Sequence, residues 1–394
     1  MTTEIKNLNW EKIFKQSAVF AAVSAVVFVL CIISGNLTAS APAEAPVQTE
    51  TVHYTIMDSF EAAISGDLSD AYEAASGVPR VFWIPEDAEI APKPNQSCYG
   101  ESKDPKELQW LLDSAKELLN GQETVFSTDI EIFPGSTITY YLDESILVIT
   151  WQQLIDNYCY TYSEVKISHP SQFGRYLGNN EFDSLYLHPA SRLGTYANAV
   201  MAASADFYMA RTAGIIVYQG EVKRTDYSEH VDTCFIDKNA DMILVPAGTF
   251  NSKEEAQKFV DDNDILFSLA FGPILVDNGV RCEPDMYYLG ETNDKYPRVA
   301  ICQKDKLHYV VVTANGQLSY QRSINIHTFA KVIAEMNCQK AYTLDGGRTG
   351  TIAMNGKALN PVEYERWISD IIFFATAIPS PEEPAVEAPA ATTP

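Results

Sequence analysis

From about Thr124 onward the chain is written in short runs of β-branched and aromatic residues. Thr137-Ile-Thr-Tyr-Tyr, Tyr160-Thr-Tyr-Ser-Glu-Val-Lys-Ile, Gly214-Ile-Ile-Val-Tyr and Tyr309-Val-Val-Val-Thr are the clearest. Side chains of these types pack well on a pleated surface, so each run predicts a strand. Asn-Gly pairs follow apolar runs at Asn278-Gly279, Asn315-Gly316 and Asn355-Gly356. Asn-Gly takes up the two positive φ angles of a type I′ turn, so all three predict hairpins and therefore antiparallel neighbours. Two helical patterns interrupt the strands. One is KEEAQKFVDD after Asn251-Ser252; the other begins near Asn325 and places Ile326, Phe329, Val332, Ile333 and Met336 on one face. No internal repeat is visible. The pattern predicts an α+β fold, a mostly antiparallel sheet with packed helices, spanning residues 124–377.

The preceding stretch, 52–123, reads as helical. Asp104-Pro105 is an N-cap followed by proline at the first helical position, and Leu108, Leu111, Leu112, Ala115, Leu118 and Leu119 form one apolar stripe closed by Gly121. With 46% hydrophobic residues over 394 positions, the chain has ample material for a core. The 28 basic residues face 52 acidic ones, a formal charge of −24. Such a surface repels phosphate backbones, so nucleic acid is excluded as a partner.

The N-terminus contains Lys6, Lys12 and Lys15, and then SAVFAAVSAVVFVLCIIS, Ser17 to Ser34, without a charge. A run of this length spans a bilayer core as a helix. Basic residues before it and Glu44 and Glu50 after it orient residues 1–16 to the cytoplasm. The expectation is a single transmembrane signal anchor over 17–35 with the globular part extracytoplasmic. A cleaved signal peptide with its site near Ala41-Pro42-Ala43 is the rival, disfavoured by the length of the run. Residues 36–51 are Ala/Pro-rich and read as a spacer above the membrane. The final residues, 378–394, have the same character and read as a disordered tail.

The cysteines show no CxxC and the histidines no HxxxH, so no metal site and no cofactor is expected. Cys98, Cys159, Cys234, Cys282, Cys302 and Cys338 could be disulfide partners in an oxidising compartment or buried free thiols, with the two readings equally open.

Chemistry concentrates in KAYTLDGGRTG, Lys340 to Gly350. A short apolar strand delivers one carboxylate, Asp345, directly before Gly346 and Gly347. By itself Asp-Gly is more often a turn; alternatively, two residues without Cβ let a ligand reach the backbone at a strand end.

Five blocks together resemble the phosphodiester glycosidase family, which includes the mannose-6-phosphate uncovering enzyme and bacterial envelope proteins. They are SADFYMARTAGIIVYQGEVKR (Ser204 to Arg224), LAFGPILVDNGVR (Leu269 to Arg281), YPRVAICQKDKLHYVVVTANG (Tyr296 to Gly316), AYTLDGGRTGTIAMNGK (from Ala341) and ERWISDIIFF (from Glu365), in family order. The resemblance implies hydrolysis of a phosphodiester joined to a sugar anomeric carbon. It casts Asp206 and Asp345 as the catalytic carboxylates and Arg211 and Arg298 as bidentate phosphate clamps. The implied substrate contacts are Ser204, Gly346, Gly347, Arg348 and Thr349, with the backbone N–H groups of Gly346 and Gly347 facing the developing charge. The implied partner is an anionic sugar-phosphate or envelope glycan, with the membrane engaged through the N-terminal helix. Three departures from the family pattern stand out. Ser204-Ala205 replaces Asn-Gly before Asp206, Asn315 replaces Asp, and Gly346-Gly347-Arg348-Thr349-Gly350 replaces Gly-Gly-Gly-Ser-Ser. Arg348 either adds a phosphate contact or plugs the pocket by pairing with Asp345 or Asp206. Two functions follow: an envelope-anchored sugar-phosphodiester hydrolase, or a degenerate relative that binds such glycans or serves as a cell-surface structural protein, without turnover.

Overall fold

The computed structural model describes residues 91–210, 213–226, 231–282, 294–316, 324–362 and 364–378, all within one of the two compact units of the chain, Tyr54–Pro394. The expected cytoplasmic segment, membrane anchor, spacer and nearly all of the tail lie outside these residues, as does Arg211. No helix among the described residues is long and apolar enough to cross a membrane.

Every strand pairing among the described residues is antiparallel. The largest sheet has nine strands, in the spatial order Tyr99–Ser102, Ile138–Leu142, Ile146–Ile155, Tyr158–Ile167, His308–Gly316, Arg298–Asp305, Lys340–Leu344, Ile274–Asp277 and Val280–Arg281. A second sheet runs Lys357–Ala358, Ile352–Met354, Met201–Ser204, Asp370–Phe374 and Phe173–Leu177. A third pairs Met242–Val245, Thr233–Asp237 and Ile265–Leu269, and Gly214–Tyr218 pairs with Glu221–Asp226. The mostly antiparallel α+β expectation matches this arrangement.

The large sheet is covered on both faces, and strand alternation sorts its side chains accordingly. Ile146, Val148, Val165, Ile301 and Leu344 meet Met201, Ile352 and Phe374 of the second sheet and Ile236 and Leu269 of the third in one core. Leu147, Ile149, Trp151, Cys302 and Val312 face the other way, onto Leu111, Ala115, Phe329 and Ile333 of the helices. Burial on both faces is why these strands read as nearly continuous apolar runs in the sequence.

Local signals hold where the turn closes on itself. Asn278 and Gly279 (φ 49° and 75°) and Asn355 and Gly356 (φ 48° and 73°) join their flanking strands as hairpins. Asn315-Gly316 does not. It continues the strand His308–Gly316, pairing with Cys159 and Tyr158, because the long neighbouring strand Tyr158–Ile167 offers ladder partners to the end. The helices Lys253–Asp262 and Ile326–Glu335 begin where their caps place them: Ser252 accepts from Glu255 N at 3.2 Å and Asn325 from Thr328 N at 2.9 Å. After Asp104 the helical stretch covers its apolar stripe but is broken rather than continuous. It starts as a 3₁₀ turn over Pro105–Leu108 and continues as Gln109–Ser114 and Lys116–Leu119, while Tyr99–Ser102 just upstream joins the nine-stranded sheet. The six cysteines among the described residues are free thiols, and four of them are buried.

Candidate active site

The strand Lys340–Leu344 lies between Arg298–Asp305 and Ile274–Asp277. Val299 faces Leu344, so Arg298 and Asp345 are the next positions on neighbouring strands, and Phe271 lies just before the strand on the other side. These residues line a cleft of about 330 Å³ with Tyr296, Pro297, Leu344, Gly346, Gly347, Arg348 and Arg366. The volume falls at the lower end of the range for small-molecule sites.

Backbone bonds hold Asp345 from both sides. Its N–H donates to Ala205 O at 2.8 Å, and its carbonyl accepts from Ser204 Oγ at 3.4 Å. Its carboxylate Oδ2 accepts from Thr349 Oγ1 at 2.7 Å. The glycines after it make this possible. A Cβ on Gly346 would sit 2.3 Å from Pro297 O, and one on Gly350 2.8 Å from Val299 Cγ2. Gly347 takes φ 64°, which favours glycine. The segment is therefore both a turn and a site edge. It carries the chain from the nine-stranded sheet into the strand Ile352–Met354 of the second sheet, and it seats Gly346 against Pro297 and Arg298.

The structure places five of the implied contacts differently. Gly347 N–H donates to Pro297 O at 2.8 Å, so it is already engaged within the turn. Ser204 and Thr349 are buried, do not line the cleft, and act on Asp345 rather than on a ligand. Arg298 is buried and lines the cleft, but its Nε donates to Ile324 O at 3.3 Å and its Nη2 to Asp294 O at 2.7 Å. The fork assigned to a bidentate phosphate grip is thus partly committed to the adjoining loop. Arg348 is exposed, with Nη1 donating to Tyr364 Oη at 3.0 Å and its guanidinium 5.8 Å from the Tyr364 ring centroid. An exposed guanidinium is not a buried plug.

The larger correction is Asp206. It is fully buried and absent from the cleft lining. Its Oδ1 pairs with Arg175 Nη2, and its Oδ2 accepts from Ala270 N at 2.7 Å. Arg175 also holds Asp370 Oδ2, at 2.7 Å from Nη2 and 3.2 Å from Nε, and donates Nη1 to Ser268 O. This triad ties the strands Phe173–Leu177 and Asp370–Phe374 to the segments Asp206–Phe207 and Ser268–Ala270, the second of which runs directly into Phe271 of the cleft lining. Arg366, which the sequence reading did not single out, lines the cleft instead.

Burial pushes the Asp370 carboxyl up to about 7, against the opposing pull of Arg175. The folded state therefore holds a proton that the unfolded chain has released above its ordinary value near 4. Stability is expected to fall as pH rises from about 4 to 7, by up to about 1.4 kcal/mol per pH unit, and to level off above that. Urea unfolding at pH 5 to 8 measures the slope. Asp370→Asn should flatten it; an unchanged slope in that variant would assign the dependence elsewhere.

No group of three or more His, Cys, Asp or Glu side chains suited to a metal gathers among the described residues. Residues 197–375, a little under half of the chain, match the family model described as phosphodiester glycosidase. A SPbeta prophage-derived uncharacterized protein of Bacillus subtilis is 29% identical over 119 residues, which cover 28% of this chain and only 18% of that protein. Among solved structures, the catalytic domain of zebrafish N-acetylglucosamine-1-phosphodiester alpha-N-acetylglucosaminidase aligns with a TM-score of 0.45 and 13% identity, over 74% of this chain and 97% of that one. A hypothetical protein from Synechocystis aligns at 0.41 and 12% identity, over 62% of this chain and 64% of that one. The segment that brings Arg298, Asp345 and Arg366 to one cleft is the one that matches the phosphodiester glycosidase family model, residues 197–375.

Proposed function

We propose that this protein hydrolyses phosphodiesters in which one ester partner is a sugar anomeric carbon, acting on an envelope glycan or glycolipid. The observation that carries the reading is Asp345. Its backbone is gripped by Ala205 and Ser204 and its carboxylate by Thr349, at a glycine-lined strand end facing a cleft that also contains arginines. A carboxylate so fixed is suited to proton transfer or nucleophilic attack at the anomeric centre, and the cations to stabilising the departing phosphate. The uncharged Ser17 to Ser34 run supports an extracytoplasmic location with a single membrane anchor. Release of free sugar from a synthetic sugar-1-phosphate diester by the purified protein tests the activity. Protease added to intact cells should degrade the globular part; cleavage seen only after permeabilisation would overturn the location.

A second reading has its own support. With Asp206 buried against Arg175, Asp345 is the one carboxylate among the described lining residues, whereas glycoside chemistry commonly uses two. A protein that binds the diester without turnover fits that count, and would show saturable binding with no sugar released.

A further inference from the structure

Arg366 lines the cleft without help from its acidic neighbour in sequence. The carboxylate of Glu365 is engaged at the start of the helix Ala190–Tyr196, accepting from Ser191 N at 3.1 Å and Ser191 Oγ at 2.8 Å. Arg366 is exposed and makes no ion pair among the described residues. Its guanidinium lies 5.5 Å from the centroid of the Phe207 ring. Such a contact engages the charge but none of the five N–H donors.

The platform under Arg366 is fixed with unusual care. Phe207 holds φ 48°, a left-handed conformation that a bulky residue adopts only when its surroundings impose it. It follows directly on Asp206, which Arg175 and Ala270 lock in place. Asp370, at the head of the strand that Arg366 precedes, is locked by the same guanidinium. One buried triad therefore fixes both the ring and the chain segment that carries the cation. A merely solvated surface arginine needs no such arrangement. Nearby, the Arg348 guanidinium also lies by an aromatic ring, that of Tyr364, and in addition donates Nη1 to its Oη.

A sugar phosphodiester brings one negative charge, and among the described residues the cleft lining contains Arg298, Arg348 and Arg366 against the single carboxylate of Asp345. We propose that Arg366, with Arg348 beside it, forms a second anion subsite, and that the substrate carries a second anionic group, a phosphate or a carboxylate, besides the diester. The proposal rests on the reading of the cleft as a phosphodiester glycosidase site. It makes Arg366 a specificity-determining residue: guanidinium forks match both phosphate and carboxylate oxygens.

Three synthetic sugar-1-phosphate diesters test it: one with a neutral aglycone, one whose aglycone bears a phosphate monoester, and one whose aglycone bears a carboxylate. In the full-length wild-type protein, kcat/KM should favour at least one doubly anionic diester over the neutral one by about tenfold or more. That preference should collapse towards unity in Arg366→Gln, return in part in Arg366→Lys, and persist in Lys258→Gln, a control on the surface helix Lys253–Asp262. The better of the two charged aglycones names the group that is read. Equal rates on all three diesters, or a preference that survives Arg366→Gln, would overturn the subsite. If no diester is hydrolysed, the hydrolase reading fails, and the subsite is judged by the affinity of non-hydrolysable phosphonate versions of the same compounds. An Arg366-dependent preference for the charged versions then sustains it, and equal affinity rejects it.

Discussion

Replacing Asp345 by asparagine is expected to lower kcat for sugar release by roughly a hundredfold to ten-thousandfold, the range contributed by a positioned acid or base. The amide oxygen can still accept from Thr349 Oγ1, and the backbone bonds to Ala205 and Ser204 do not involve the side chain. The fold is therefore expected to survive, with an unfolding midpoint close to that of the wild type and substrate affinity largely retained. Steady-state kinetics paired with thermal unfolding separates this from a structural effect. Turnover within a few-fold of wild type would remove Asp345 from the chemistry and leave the diester-binding reading as the better one.

Arg175→Met is expected to have the largest effect on stability. Arg175, Asp206 and Asp370 have fully buried side chains. Removing the shared guanidinium leaves two carboxyl groups in a dry interior without their cation, a loss of about 3 to 5 kcal/mol. For a domain of this size that is roughly a 10 °C fall in the thermal midpoint. Activity should fall with it even at temperatures where the variant is folded, because Asp206 and Ala270 set the positions of Phe207 and Phe271 next to the cleft. Thermal unfolding with far-UV and near-UV signals checks the first claim. A variant as stable as wild type would show that the triad contributes nothing net to the fold.

The contrast between these two acids shows which information lies in local sequence. Asp345 was legible because its neighbours announce it. An apolar strand ends, two glycines follow, and few other residues fit against Pro297 and Arg298. Asp206 carries an equally plausible local context, yet its role is decided by Arg175 on another strand and by Ala270 N in a distant loop. Nothing in SADFY distinguishes a carboxylate aimed at a ligand from one aimed at a buried cation. Arg366 was missed for the same reason in reverse. Within ERWISD it resembles any charged residue before a strand, and only the folded chain shows that Glu365 is occupied by Ser191 while Arg366 sits on Phe207.

By itself the sequence determined what depends on short range: the antiparallel strand set, the two Asn-Gly hairpins, the capped helices Lys253–Asp262 and Ile326–Glu335, and the glycine-flanked carboxylate at a strand end. Backbone torsion preferences and side-chain periodicity fix these within a few residues, so they are written locally. Tertiary structure alone decided that Asn315-Gly316 continues a strand, that Ser204 and Thr349 serve Asp345, and that Asp206 is a structural anchor while Arg366 faces the cleft. The physical reason is that hydrogen-bond and ion-pair partners are chosen by proximity in space. A buried charge must find its counter-charge wherever the packed sheets bring one within reach, whatever the distance along the chain.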